Sequence, residues 1–137
     1  MFQLSKFKDW ISQYHPNDLS EIDEWSKSIQ PCEPNEATGK DIHLVQSIKD
    51  SITDRFIETG TEAGSFTLNF IDTAKEILTC EIDKYSYLCA QYRHQGIPFI
   101  KGYHQDSKSF LESIELKDSD VFFLDAHGGG YDMFNDN

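Results

Sequence analysis

Two kinds of hydrophobic spacing divide this chain, and the change comes after the third predicted helix. In the first part, apolar residues recur every three or four positions, which is the spacing of helices with one buried face. Pro16 ends the first predicted helix and Pro31 ends the second, while the third runs from Ile42 to Ile52. We predict a helical N-terminal cap segment over residues 1–39, and the third helix then leads into the first strand of the domain that follows.

In the second part, short and almost continuous apolar runs are separated by amphipathic stretches. Such runs are typical of parallel strands that are covered on both faces. They predict four strands, at 54–58, 77–82, 97–101 and 120–125, with helices at 65–75, 84–94 and 107–115. Strands that alternate with helices favour an α/β fold, with a parallel Rossmann-like sheet over residues 40–137.

Composition narrows the classes of function. A charged fraction of 26% and an aromatic fraction of 13% are those of a folded domain. The formal net charge of −12 disfavours binding to nucleic acid or to an anionic membrane. The sequence has no signal-peptide pattern and no apolar run that could span a bilayer. Three cysteines without C-x-x-C spacing fit free thiols in a reducing compartment, so cytoplasm is the expected location.

The first strand leads into a loop with two glycines. Glu58 lies at the predicted end of the strand, and Gly60 and Gly64 follow before the next helix at Ser65. In open α/β sheets, ligands bind beyond the carboxyl ends of the strands, near the backbone N–H groups of a helix start. The spacing does not fit the G-x-G-x-x-G pattern of nicotinamide oxidoreductases, and Glu58 would repel a pyrophosphate. A purely structural turn is the alternative for this loop.

Polar residues recur at the ends of the other strands. Glu81 ends the second predicted strand, about 20 positions after the glycine loop, where a carboxylate can accept hydrogen bonds from ribose hydroxyls. Asp106 and Ser107 follow the third strand, and Asp125 and His127 follow the fourth. Each has a simpler interpretation: a solvated strand end, a helix N-cap, or a loop histidine without a role. Their coincidence at one edge of the sheet carries more weight than any one of them.

These motifs resemble those of the class I S-adenosylmethionine-dependent methyltransferases, over about residues 40–131. Glu58-Thr-Gly-Thr-x-x-Gly64-Ser resembles motif I of that family, in which the acidic residue and the glycine loop hold the amino-acid end of the cofactor. Leu124-Asp-Ala-His127 resembles the strand-four motif of a subset that includes FkbM-like and cephalosporin-hydroxylase-like enzymes. The sequence departs from the family after the third strand, where Tyr103-His-Gln105 looks like an insertion before Asp-Ser.

The resemblance implies a site for S-adenosylmethionine at the ends of three strands. Its residues would be Glu58, Thr59, Gly60, Thr61, Gly64, Ser65, Glu81, Ile82, Asp106 and Ser107. Glu58 would neutralise the cofactor's ammonium group, and Glu81 would hold the ribose. Asp106 and Ser107 would contact the edge of the adenine ring.

The resemblance also implies an acceptor side at the end of the fourth strand. Asp125 and His127 would be the catalytic residues there: Asp125 could orient the substrate or act as base, and His127 could take the proton from an attacking hydroxyl. We expect no metal, although Asp125 is placed to hold a divalent cation. Asp132 and Asp136 are available as further oxygen ligands, but their spacing is not diagnostic.

The function implied is methyl transfer to an oxygen or nitrogen of a small molecule or sugar, without nucleic-acid or membrane partners. A non-catalytic, degenerate methyltransferase-like module that acts through a partner is the alternative. A complete domain of the family has a seven-stranded sheet, and this sequence accounts for the first four strands. We expect a fragment rather than a minimal domain or a sheet completed by a partner chain, because a bare strand edge invites aggregation. The same edge is compatible with a homo-oligomer.

Overall fold

The computed structural model describes residues 2–28 and 42–125. Three helices come first: α1 (Leu4–Tyr14), α2 (Leu19–Ser28) and α3 (Ile42–Ser51). A 3-10 turn at Pro16–Asp18 joins α1 to α2, because a proline suits the first position of a helix but cannot continue one. The three predicted helices are therefore present. In these two ranges, no helix combines the length and the apolar character needed to cross a bilayer.

A parallel sheet follows the helices. Its strands, in the order β3-β2-β1-β4, are β1 (Arg55–Thr59), β2 (Glu76–Cys80), β3 (Ile100–Tyr103) and β4 (Val121–Leu124). Helix α4 (Lys84–Arg93) connects β2 to β3, and α5 (Ser107–Ser113) connects β3 to β4. All three strand pairs are parallel, and every residue of β1 is buried, so the predicted α/β, Rossmann-like class is confirmed.

The helix predicted at 65–75 is wrong. The chain instead forms a 3-10 helix at Phe66–Phe70 and then turns into β2. Thr67 points inward and donates a hydrogen bond to the buried carboxylate of Glu58. Phe70 packs on Phe56 of β1, with their ring centroids 4.5 Å apart. These two contacts draw the segment against the sheet, and a regular helix over the whole stretch does not form.

The bounds of two strands also differ from the prediction. The sequence predicts the third strand at 97–101, but the backbone N–H of Ile100 donates to the carbonyl of Ile97, so a turn occupies that stretch and β3 begins at Ile100. The second strand ends at Cys80, which places Glu81 just beyond it. The earlier end of β2 moves Glu81 into the loop, whereas β3 extends two residues beyond its predicted end, to Tyr103.

Three clusters of buried side chains form the core. Two cover the faces of the sheet, with Phe56 in the cluster that includes α3 and Ile57 in the cluster that includes α5. The third lies where α1 and α2 pack against α4, and it includes Ala63 of the glycine loop. The N-terminal helices thus share a core with the sheet domain. The predicted boundary at residue 39 lies outside the described residues.

Candidate functional site

The carboxyl ends of the strands meet at one edge of the sheet, and the loops after them lie side by side. Gly60 and Thr61 both donate backbone hydrogen bonds of 2.9 Å to the carbonyl of Cys80, which ties the β1 loop to the end of β2. On the other side of β1, the N–H of Asp125 donates to the carbonyl of Thr59 at 3.1 Å. The predicted site residues that follow β1 and β2, together with Asp125 after β4, therefore lie at one edge of the sheet.

Glu58 lies beneath this edge and is only 1% exposed. Its Oε1 accepts hydrogen bonds from the hydroxyls of Thr67 at 2.5 Å and Thr79 at 2.7 Å. Burial disfavours the charged carboxylate and raises its pKa from 4.5 to about 7; the two hydroxyls oppose this shift, and the negative charges of Glu62 and Asp125 add to it. Near neutral pH the group is therefore balanced between its neutral and charged forms.

The glycine loop adopts conformations that favour glycine. Gly60 has a φ of 84° and Gly64 a φ of 93°, and Glu62 between them has a φ of 52°. A Cβ atom on Gly64 would lie 2.9 Å from Nε2 of His94 and 3.0 Å from Cα of Ala90. The absence of a side chain at Gly64 therefore permits both the left-handed backbone and the close approach of α4.

Two side chains at the end of α4 bind the far side of this loop. Nη1 of Arg93 donates to the carbonyl of Ala63 at 3.2 Å and to Oγ of Ser65 at 2.7 Å. Nε2 of His94 lies 2.9 Å from the carbonyl of Gly64. Burial lowers the pKa of His94, so the favoured form is the neutral ring with its Nε2–H donated to that carbonyl. The sequence analysis missed both residues.

Glu81 faces the glycine loop from the end of β2. Its Oε1 accepts a hydrogen bond of 2.7 Å from the backbone N–H of Glu62, and its Oε2 accepts one of 3.0 Å from that of Asp83. A carboxylate has about four lone-pair sites, so this half-buried group can still accept hydroxyl donors from solvent or from a ligand. Ile82 exposes 55% of its surface beside it. A carboxylate and an apolar side chain thus lie next to each other at the edge.

The loop after β3 contains two polar atoms that need a partner. Oε1 of Gln105 and Oγ of Ser107 are buried, and neither has a hydrogen-bond partner in the described part of the chain. Leaving such an atom unpaired costs about 1–3 kcal/mol, so the two atoms mark a place where the polar edge of a ligand would fit. The sequence analysis missed Gln105 because it treated Tyr103-His-Gln105 as an insertion.

Asp106 has a structural role in the same loop. Its carboxylate caps α5 by accepting hydrogen bonds from the backbone N–H and the hydroxyl of Ser109, at 2.8 and 2.9 Å, and these bonds lower its pKa. This is the N-cap alternative that the sequence left open. The contact of Asp106 with adenine stays a prediction. His104 joins the loop to the end of β2, since its Nε2 lies 3.0 Å from the carbonyl of Ile82.

The acceptor side is described only in part. Asp125 is half-buried directly after β4, whereas His127, Asp132 and Asp136 lie outside the described residues. Within the described residues, 2–28 and 42–125, no group of three His, Cys, Asp or Glu side chains could hold a metal ion. Cys80 and Cys89 are free thiols whose pKa is raised to about 12 by burial, so neither is a nucleophile at neutral pH. The catalytic roles of Asp125 and His127 stay predictions.

Comparisons with known proteins show likeness to solved structures and not to known sequences. No family model matches the sequence, and no curated protein matches it significantly. The O-methyltransferase from Bacillus cereus, solved in complex with SAH, superposes with a TM-score of 0.57 at 12% identity, over 98% of this chain and 68% of that chain. The chain has the class I S-adenosylmethionine-dependent methyltransferase fold. The resemblance on which the sequence analysis relied is therefore confirmed for the fold.

Two further methyltransferase structures match with lower scores. A dimethyladenosine transferase from Plasmodium falciparum has a TM-score of 0.49 and 17% identity, over 69% of this chain and 37% of that chain. The 23S rRNA methyltransferase ErmE has a TM-score of 0.49 and 19% identity, over 69% of this chain and 40% of that chain. The chain thus spans less than half the length of these two proteins. The FkbM-like or cephalosporin-hydroxylase-like subset stays a prediction.

Proposed function

We propose that this chain is an S-adenosylmethionine-dependent methyltransferase that acts on an oxygen or nitrogen of a small molecule or sugar. One observation carries the proposal: the glycine loop, Glu81 and the unpaired atoms of Gln105 and Ser107 follow the adjacent strands β1, β2 and β3 of a methyltransferase fold. Their order across the sheet matches the order of the amino-acid, ribose and base parts of the cofactor.

The amino-acid end would lie against the glycine loop, above Glu58. A cationic ammonium group beside Glu58 would favour the charged carboxylate and lower its pKa from the value of about 7. The loop takes up left-handed backbone at Gly60 and Gly64, so it can approach a ligand without side chains in the way. Glu58 would thus act from beneath the loop as a buried negative charge.

The nucleoside end would lie across the ends of β2 and β3. The remaining lone pairs of Glu81 would accept hydrogen bonds from the ribose hydroxyls. Oε1 of Gln105 is an acceptor that matches the exocyclic amino group of adenine, and the hydroxyl of Ser107 can donate to a ring nitrogen. The exposed side chain of Ile82 would provide an apolar surface for the base.

S-adenosylmethionine supplies a methyl group that its sulfonium already activates. The residues of the chain would therefore contribute mainly proximity and alignment. Asp125 follows β4, beside the carbonyl of Thr59, where a carboxylate can orient an acceptor hydroxyl or take its proton. The net charge of −12 supports a small acceptor over a nucleic acid.

Calorimetric titration of the 137-residue chain with S-adenosylhomocysteine tests the proposal. We expect saturable binding at one site, and Glu81→Ala should weaken it more than tenfold, or by about 1.4 kcal/mol. Glu76→Ala is the matched control, because Glu76 begins the same strand at its opposite end and binds Lys101 there. A folded wild-type chain that does not bind would contradict the proposal.

Transfer of a labelled methyl group to a panel of small alcohols, sugars and amines tests the catalytic part. We expect at least one acceptor to be methylated, and Asp125→Asn to reduce the rate without weakening S-adenosylhomocysteine binding. Saturable binding without transfer to any acceptor would instead support a non-catalytic module that acts through a partner.

A further inference from the structure

We propose that Arg93 is the positioning residue of the glycine loop, and that it links the N-terminal helices to the affinity for the cofactor. The link to affinity rests on the function proposed above. The positioning of the loop does not, because it can be measured on the protein without any ligand.

Arg93 holds the loop on both sides of Gly64. It is the last residue of α4, and its Nη1 donates to the carbonyl of Ala63 and to Oγ of Ser65, at 3.2 and 2.7 Å. A guanidinium group presents several N–H donors in a fixed plane, so it can bind two acceptors at once in one geometry. A lysine would offer a single ammonium on a flexible stem and would reproduce this arrangement only in part.

The other face of the same guanidinium group contacts the N-terminal segment. Its central carbon lies 5.4 Å from the ring centroid of Phe2, which is the geometry of a cation–π contact. The Phe2 ring in turn packs against Phe7 of α1, with centroids 5.9 Å apart. Ala63 of the loop belongs to the same core cluster as Phe7. The N-terminal helices therefore share a core cluster with Ala63 of the loop and also reach the loop through Arg93.

The loop needs such support because its backbone is strained. Gly60, Glu62 and Gly64 all have positive φ, and Glu62 is not a glycine. A non-glycine residue in this region is energetically unfavourable and persists only when its surroundings fix it. The backbone bonds to Cys80 fix the start of the loop, and α4 fixes its end. Loss of Arg93 should therefore loosen the end of the loop, where only the bond from His94 to Gly64 remains, while the start stays bound.

Hydrogen exchange on the ligand-free protein tests the positioning role. The Gly64 amide donates to the carbonyl of Thr61 at 3.0 Å, so its exchange reports whether the loop keeps its shape. We expect Arg93→Met to speed this exchange about tenfold and Arg93→Lys to speed it less, with the β2 amides unchanged. Phe2→Leu keeps the guanidinium group but removes the ring, and it should shift exchange in the same direction by a smaller factor.

The matched control is Lys8→Met. Lys8 forms an ion pair with Asp23 that joins α1 to α2, and neither residue contacts the loop in the described contacts. The variant changes the same helices but leaves Phe2, Arg93 and Ala63 in place, so the exchange of the Gly64 amide should stay unchanged. A folded Arg93→Met protein with wild-type exchange at Gly64 would overturn the proposal, and so would equal acceleration by Lys8→Met.

Titration with S-adenosylhomocysteine then tests the link to affinity. We expect binding to weaken about tenfold in Arg93→Met, less in Arg93→Lys, and not at all in Lys8→Met. Unchanged affinity in Arg93→Met, with normal binding by the wild type, would overturn the link. Absence of binding by the wild type would instead contradict the proposed function, and the exchange experiment would still decide whether Arg93 positions the loop.

Discussion

The hydroxyl of Thr67 donates a 2.5 Å hydrogen bond to the carboxylate of Glu58, nine residues earlier in the chain. Thr79 of β2 donates to the same oxygen, and Oγ1 of Thr61 lies 2.5 Å from that of Thr79. The hydroxyls satisfy the buried acid without neutralising its charge, so burial decides the direction of its pKa shift. The bond from Thr67 also holds its segment against the sheet, where a 3-10 helix at Phe66–Phe70 forms in place of the predicted α-helix. Thr67 thus shapes the local fold and limits the rise in the pKa of Glu58 that burial causes.

Glu58→Gln should change how stability depends on pH. The pKa of Glu58 is raised in the folded state, so its contribution is complete below the unfolded value of 4.5 and is lost as pH rises through about 7. The difference between the unfolded pKa of 4.5 and the folded pKa of about 7 corresponds to roughly 3 kcal/mol in the free energy of unfolding. Between about pH 5 and pH 8, the wild type should therefore lose more stability than Glu58→Gln, whose amide still accepts the threonine hydroxyls.

Denaturant unfolding at several pH values measures this difference. Glu112→Gln is the control, because Glu112 is an exposed acid on α5, and its pH profile should follow the wild type. Parallel profiles for the wild type and Glu58→Gln would show that the carboxyl does not gain a proton on folding.

The sheet could be predicted from the sequence because its strands are made of local apolar runs. Phe56-Ile57 and Val121 to Leu124 read as strands without knowledge of the rest of the chain, and both lie in the sheet. The segment at 65–75 misled the prediction because Leu68, Ile71 and Ala74 have helical spacing. What overrides this spacing is a buried acid on another element, which no local pattern reveals.

The candidate site could be predicted only as far as it follows the ends of strands. Glu58, Gly64 and Glu81 follow from that rule. Arg93 and His94 bind the loop from 30 positions further along the chain. Nothing in the sequence around them indicates that the glycine loop is their partner. Their roles depend on how α4 packs, which is a property of the tertiary structure.

Gly64→Ala should destabilise the protein more than Gly96→Ala does. Both glycines have positive φ, of 93° and 85°, so both substitutions impose similar backbone strain of about 1 kcal/mol. At Gly64 the new Cβ would also lie 2.9 Å from His94 and 3.0 Å from Ala90, whereas at Gly96 no atom of the described residues lies within 4 Å. We expect the additional loss at Gly64 to be on the order of 1–3 kcal/mol.

Thermal or denaturant unfolding of the two variants tests this comparison, and Gly96→Ala is the matched control. Gly64→Ala should also weaken S-adenosylhomocysteine binding, because the loop must shift away from α4. Equal destabilisation by the two substitutions would mean that the close approach of α4 contributes little.

Arg55→Met should lower stability without changing the affinity for the cofactor. Arg55 begins β1, at the end of the strand opposite to the site, and binds Asp120 through two hydrogen bonds of 2.8 and 2.7 Å. The side chain of Asp120 is 0% exposed, so removal of Arg55 leaves a buried negative charge and should cost about 3–5 kcal/mol.

The control for Arg55 is Lys101→Met, which breaks an ion pair with Glu76 whose lysine is 53% exposed. This change should cost much less stability than the loss of Arg55, because exposed ion pairs contribute little. Unfolding and S-adenosylhomocysteine binding are both measured, to test whether this end of the sheet affects stability alone. A large loss of affinity in a folded Arg55→Met protein would show that it also affects the ligand site.

Gln105→Leu should remove the discrimination between adenine and hypoxanthine. The buried Oε1 of Gln105 can accept a hydrogen bond from the 6-amino group of adenine, whereas the 6-oxo group of hypoxanthine has no proton to donate. A site that hydrogen-bonds its ligand rejects the analogue that leaves its buried atom unpaired. We therefore expect the wild type to bind S-adenosylhomocysteine at least about tenfold more tightly than its inosine analogue.

Titration of both ligands into both proteins tests the role of Gln105. Gln105→Leu should weaken the binding of S-adenosylhomocysteine and leave that of the inosine analogue nearly unchanged, because only the first ligand loses a hydrogen bond. Gln46→Leu is the control, since Gln46 is an exposed residue of α3 that binds Asp50 four positions away. It should keep the wild-type preference for adenine. If Gln105→Leu also kept that preference, the base would be recognised by another group, and the unpaired Oε1 would have to be satisfied by water instead.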